Sequence, residues 1–163
     1  MTRAMRLCVV VVLAFAAILP VSSVVAQDAF VGSWVLDTAS SKGPPGLVPT
    51  AGTLEITRGG DGRYTYVSEA ALGDAVGRTE TTMATDGKEY ATATTPAPPG
   101  APAVTQAIER VSDTVYKISV KINGELVATS LNELSSDRST LTQTATGLGQ
   151  FAALSSTMVF RRK

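Results

Sequence analysis

The sequence predicts an all-β protein, a single antiparallel up-and-down β-barrel of about eight to ten strands. Three observations lead there. Apolar residues alternate with polar ones along short runs and never form a long helical stripe. Clusters of Gly, Asn, Asp and Ser interrupt those runs at the spacing of hairpin turns. The only tryptophan, Trp34, stands at the head of the first strand, where a large apolar ring can plug one end of a closed sheet.

The amino-terminal segment is set apart from the barrel. Met1 to Arg6 carries Arg3 and Arg6 and no acid, Leu7 to Leu19 is an unbroken apolar run, and Pro20 ends it before Val21-Ser22-Ser23-Val24-Val25-Ala26. That is the layout of a secretory signal peptide cleaved after Ala26, with residues 1–26 as leader and 27–163 as one domain. A bilayer-spanning helix needs roughly 20 apolar residues, and Pro20 interrupts this run short of that. The expectation is export to the periplasm or the extracellular space, with no stable membrane anchor after cleavage. Cys8, the only cysteine, sits at the front of the apolar run and leaves with the leader, so the mature chain has no disulfide.

The strands follow in order. Phe30-Val31-Gly32-Ser33-Trp34-Val35-Leu36-Asp37 is the first, with Gly32 leaving room for another backbone to come close. Thr53 to Arg58 places Leu54 and Ile56 on one buried face, and Gly59-Gly60-Asp61-Gly62 turns it into Arg63 to Ser68. Val76 to Ala84 is a threonine-rich strand, which Asp86-Gly87 turns into Lys88 to Thr94. Val104 to Val111 carries Val104 and Ile108 on one face. Val115 to Ile122 is the cleanest half-buried strand, with Tyr116, Ile118, Val120 and Ile122 alternating with Lys117, Ser119 and Lys121. Asn123-Gly124 is a hairpin turn into Glu125 to Leu134, and Ser135-Ser136-Asp137-Arg138 leads to Thr140 to Thr146. The last strand is Ser156 to Arg162, with Met158 and Phe160 facing one way. Two connections exceed turns, Thr38 to Gly52 and Thr95 to Ala103, and their prolines keep them out of the sheet.

Gly32-Ser33-Trp34 resembles the Gly-x-Trp signature of lipocalins. The fuller set, Thr53-Leu54-Glu55-Ile56, Gly60-Asp61-Gly62-Arg63-Tyr64, Thr85-Asp86-Gly87-Lys88-Glu89-Tyr90, Asn123-Gly124-Glu125-Leu126-Val127 and Thr140-Leu141-Thr142, resembles bacterial secreted lipocalin-like proteins of mostly unassigned function. The resemblance implies a lipocalin/calycin-type barrel whose closed end holds Gly32 and Trp34, with Arg161 or Arg162 covering the indole. It also implies that the Thr38-to-Gly52 loop lies at the open end as a lid. There are departures: no Thr-Asp-Tyr triplet, no cysteine pair and no helix after the barrel. The Arg-x-Tyr pair that grips a fatty-acid carboxylate in related intracellular barrels is missing, and Phe160-Arg161-Arg162-Lys163 stands there instead.

Composition excludes more chemistry than it suggests. With no histidine, there is no Ser-His-Asp triad and no His-ligated zinc; with no mature cysteine, there is no thiolate nucleophile or thiolate metal site. No catalytic residue, metal site or cofactor is therefore assigned. Removing Arg3 and Arg6 leaves 12 basic against 14 acidic residues, so no basic field invites nucleic acid. A carboxylate enzyme would need two acids in one cavity. Yet Asp61, Asp86, Asp113 and Asp137 sit in turns, and Glu55 and Glu89 face away from Ile56 and Tyr90.

What remains is an exported barrel that binds a small apolar or amphipathic molecule. Tyr64, Tyr66, Tyr90 and Tyr116 are the candidate polar contacts, and each is also readable as an ordinary core or edge residue. The competing expectation is a secreted protein-binding module, a protease inhibitor or envelope-complex scaffold, that uses the Pro-rich loops. The interior decides between them: a cavity above about 300 Å³ favours a ligand, and a filled interior favours a scaffold.

Overall fold

Ten strands form in the computed structural model, which describes residues 28–163; the predicted leader lies outside those residues. They are β1 (Gly32–Leu36), β2 (Ala51–Arg58), β3 (Tyr64–Leu72), β4 (Ala75–Met83) and β5 (Tyr90–Thr95), then β6 (Val104–Ser112), β7 (Val115–Ile122), β8 (Glu125–Leu134), β9 (Thr140–Gly147) and β10 (Ser156–Arg162). Each pairs antiparallel with the next, and β10 returns to β1, so the sheet is a closed up-and-down barrel with no free edge. Closure is read in the register: Trp34 stands opposite Leu54 on β2 and opposite Arg162 on β10.

The alternation seen in the sequence decides which side chains the barrel encloses. Leu54 and Ile56 are buried while Glu55 and Thr57 are exposed, and Tyr116 and Ile118 are buried while Lys117 is exposed. Register carries that parity around the wall. Ile56 faces Tyr66, Tyr66 faces Thr81, and Thr81 faces Thr92, so the threonines of β4 and β5 at these positions point in and Ala91 and Ala93 point out. The Asn123-Gly124 turn has both residues at positive φ, 49° and 83°, as a two-residue hairpin of type I′ requires. A bulge beside it, between Val120 and Lys121, shifts β8 by one residue and brings Val127 inside.

The two poles differ. At one, Trp34, Tyr64, Met83, Ile108, Tyr116 and Leu141 join Phe30 in a dense apolar core. At the other lie the 38–50 and 96–103 connections, the Asn123-Gly124 turn and a short 3-10 helix, Gly149–Leu154, that the sequence reading left out. This helix rests on Gly147, where a Cβ would run into the Phe151 carbonyl. The Thr38-to-Gly52 connection starts as an extension of the wall: Lys42 exchanges two backbone hydrogen bonds with Thr157, and Ser41 Oγ accepts from the Val159 amide. Beyond that pairing Gly43 lies against Ser156, Val48 and Met158. Its first part is therefore wall, and no residue of 38–50 lines the interior cavity. Its β2 end is also shorter than expected, since Ala51 and Gly52 already belong to the strand.

Candidate functional site

The closed pole is built around two clusters. In the first, Trp34 is 1% exposed, its indole N–H donates to the Phe30 carbonyl at 3.1 Å, and the Arg162 guanidinium lies 4.2 Å from the ring centroid. Arg162 also donates to the carbonyls of Ala29, Val31 and Arg138, which ties the chain before β1 to the end of the barrel. The sequence left Arg161 and Arg162 open; the structure selects Arg162. Arg161 faces outward, bonded to Asp37 and Thr140. Gly32 makes way for this guanidinium and not for a backbone: its φ is +146°, and a Cβ there would sit 2.6 Å from Arg162 Nη1.

The second cluster was not anticipated. The Asp28 side chain is 3% exposed, and its Oδ2 accepts hydrogen bonds from the hydroxyls of Tyr64 (2.7 Å) and Tyr116 (2.9 Å) and from Arg110 Nη1 (3.2 Å). The Phe30 amide donates to Oδ1 at 3.0 Å. Burial opposes ionisation of this carboxyl, yet the Tyr64 hydroxyl, the Phe30 amide, the Tyr116 hydroxyl and the Arg110 charge together hold it below the ordinary range. The tyrosines move the other way, each raised first by its own burial and then by hydrogen bonding. Asp28 thus pins the segment ahead of β1 into the barrel floor.

Above that floor the barrel holds a cavity of about 180 Å³, with Leu54, Ile118 and Val120 as its apolar lining and Thr81, Asn132 and Gln143 among its polar lining. Ser68, Thr79, Gln106 and Ser130 complete the polar part, and no charged residue lines it. Tyr66 also lines it, and its hydroxyl is buried without a hydrogen-bond partner. Burial first, and then the negative charge of Asp28, push the Tyr66 hydroxyl far above the ordinary phenol range, so it stays a neutral donor and acceptor. The interior is neither filled nor above the 300 Å³ expected for a full-sized ligand. It suits a small one, since a cavity of about 150 Å³ can hold benzene.

The four predicted tyrosines therefore separate. Tyr66 belongs to the cavity. The Tyr64 and Tyr116 hydroxyls are committed to Asp28, and the Tyr90 hydroxyl donates to Asp86 at 3.1 Å in the β4–β5 turn at the closed pole. The interior Ser, Asn and Gln residues were missed, although parity marks them: Asn132 and Ser130 share a face with Leu134, and Gln143 shares one with Leu141. A larger, open depression of about 400 Å³ lies at the rim of the mouth, between Val35, Thr38, Thr53, Ala71 and Val76. Among the described residues no group of three or more His, Cys, Asp or Glu converges as a metal site, and no helix is long and apolar enough to cross a membrane.

No family model and no curated protein matches the chain. Among solved structures it is similar to fatty-acid-binding protein 1 of Echinococcus granulosus, with 16% identity over 83% of this chain and 98% of that one and a TM-score of 0.58. At that identity the likeness is one of fold. The chain is a closed ten-stranded antiparallel up-and-down barrel.

Proposed function

We propose that this is an exported carrier or sensor barrel that holds a small amphipathic molecule in its interior. One observation supports it above the others: the barrel keeps about 180 Å³ open and lines it with uncharged hydrogen-bonding side chains, including the unpaired Tyr66 hydroxyl. A barrel serving only as a scaffold would be more stable with that space packed by Leu, Ile or Val, because voids and unpaired buried polar groups both destabilise. The similarity to a protein described as fatty-acid-binding agrees with an apolar component in the ligand. The cavity volume confines the enclosed part to about six to eight non-hydrogen atoms. The leader-like residues 1–26 support the periplasm or the cell exterior as the place of action.

Hexan-1-ol, with an alkyl tail and one hydroxyl, is a suitable probe. Titrated into ¹⁵N-labelled protein, it should shift the amides of Thr81, Ile118 and Asn132 with a Kd on the order of 1 mM, as expected for a ligand of this size. The cavity-filling variant Ser130→Leu should abolish those shifts while keeping a dispersed spectrum. No shift at the lining residues of the wild type would refute interior binding. It would leave the protein-binding alternative, in which deletion of the fully exposed 96–103 loop removes partner capture.

A further inference from the structure

We infer that the interior site selects an uncharged hydrogen-bonding head group, such as a primary amide, and rejects carboxylates and ammonium ions of the same size. This rests on the small-molecule reading above and narrows it to a ligand class.

The inference begins from where the charges are. Every Lys, Arg, Asp and Glu is absent from the cavity lining. The nearby cations point or pair away from it: Lys117 is exposed on the outer face of β7, and Lys121 pairs with Glu89. Arg110 spans Asp28, Asp113 and the Ser112 carbonyl. Arg78 bridges Glu69 and Glu80 on the outer face, and Arg58 lies over the Tyr64 ring. An anion entering the cavity would lose its hydration and find no counter-charge, the most costly form of burial. Asp28, whose charge helps push the Tyr66 hydroxyl up, is negative and so opposes an anion there. An ammonium ion fares no better, because no carboxylate lines the site and Asp28 is already saturated by four donors.

What the lining offers is paired donor and acceptor capacity. The Asn132 carboxamide reaches only Ser130, through two long contacts of 3.4 Å, and Gln143 stands directly opposite it on β9. The Tyr66 hydroxyl adds a neutral group that can give or take a hydrogen bond. Two carboxamides and a hydroxyl complement a group that itself both donates and accepts. Leu54 on β2, and Ile118 and Val120 on β7 across the barrel, interrupt the polar lining with apolar surface for a short tail.

The test compares hexanamide, hexanoate and hexylammonium at neutral pH with the same ¹⁵N-labelled protein, using hexan-1-ol as the reference for access. Hexanamide should shift the amides of Thr81, Ile118 and Asn132, and the two ions should bind at least about tenfold more weakly. Tyr66→Phe and Gln143→Leu should each weaken hexanamide by about threefold or more, and two variants guard against loss of fold in one. Hexanoate binding as tightly as hexanamide would overturn the inference while leaving an interior site intact. So would hexan-1-ol binding with the three other probes equally weak, because the head group would then go unread. Failure of all four probes at the lining residues would overturn the site and the inference together.

Discussion

Asp28→Asn tests whether the barrel floor is held by one buried carboxylate. The substitution keeps the shape but replaces an oxygen with an NH₂ group. In one amide orientation that NH₂ meets Arg110 Nη1, which can only donate, and the Tyr64 and Tyr116 hydroxyls lose the acceptor they now reach at 2.7 and 2.9 Å. In the other it meets the Phe30 amide. Either way a donor confronts a donor in a site that is 3% exposed. Hydrogen bonds to a buried charge are worth about 1.5–3 kcal/mol each and neutral ones about 0.5–1.5, so losing the charge and one good geometry costs about 3–5 kcal/mol. Arg110 adds little, because its side chain is 39% exposed and solvent screens it. Urea unfolding should show a lower midpoint at unchanged slope. The sign with pH follows from the depressed folded-state pKa: Asp28 stabilises the fold above the unfolded value, near 3.8, and that contribution is lost as pH falls through the folded value. The gap between wild type and variant should therefore narrow below about pH 4 and stay constant from there to neutrality. A loss under about 1 kcal/mol at pH 7, or a gap that widens in acid, would refute this account.

Trp34→Ala empties the largest fully buried side chain of the floor and should cost about 3–5 kcal/mol in the same assay; a loss below about 1 kcal/mol would mean that the ring does not close the barrel. Arg162→Ala removes the guanidinium over the indole and three carbonyl contacts, for about 1–3 kcal/mol, whereas Arg161→Ala breaks a half-exposed pair with Asp37 and should stay under about 1 kcal/mol. Equal costs for the two arginines would contradict the assignment of Arg162 as the cover.

The wall was legible because each of its determinants is local. Tyr116-x-Ile118-x-Val120-x-Ile122 fixes β7 by parity, Asn123-Gly124 fixes its turn, and β8 and β10 span the residues that the turn signals delimit. Trp34 was legible as a plug for the same reason, being a lone large ring at the head of a strand. The choice between Arg161 and Arg162 needed register, because adjacent residues on a strand point to opposite sides. Asp28 left no local trace. It lies outside any strand, and its partners Tyr64, Tyr116 and Arg110 are 36 to 88 residues away in the chain. The polar interior falls between these cases. Thr81, Asn132 and Gln143 sit at inward parity, but a period-two pattern marks inward positions by their apolar residues, so a polar residue in that place interrupts the signal.

The barrel wall is unevenly stitched. β5 shares four registered pairs with β4, from Thr81–Thr92 to Arg78–Thr95, but only two with β6, Tyr90–Gln106 and Ala91–Thr105. Below them the Gly87 amide still reaches the Ile108 carbonyl, so the seam is fastened at the floor and slack toward the mouth. Backbone amides flanking that slit should exchange with deuterium soonest among the strands, while those around Trp34 hold out until the whole molecule unfolds. The wall would then loosen first along one line, between β5 and β6, like a cuff unbuttoned at one end, while the rest of its circumference stays fastened.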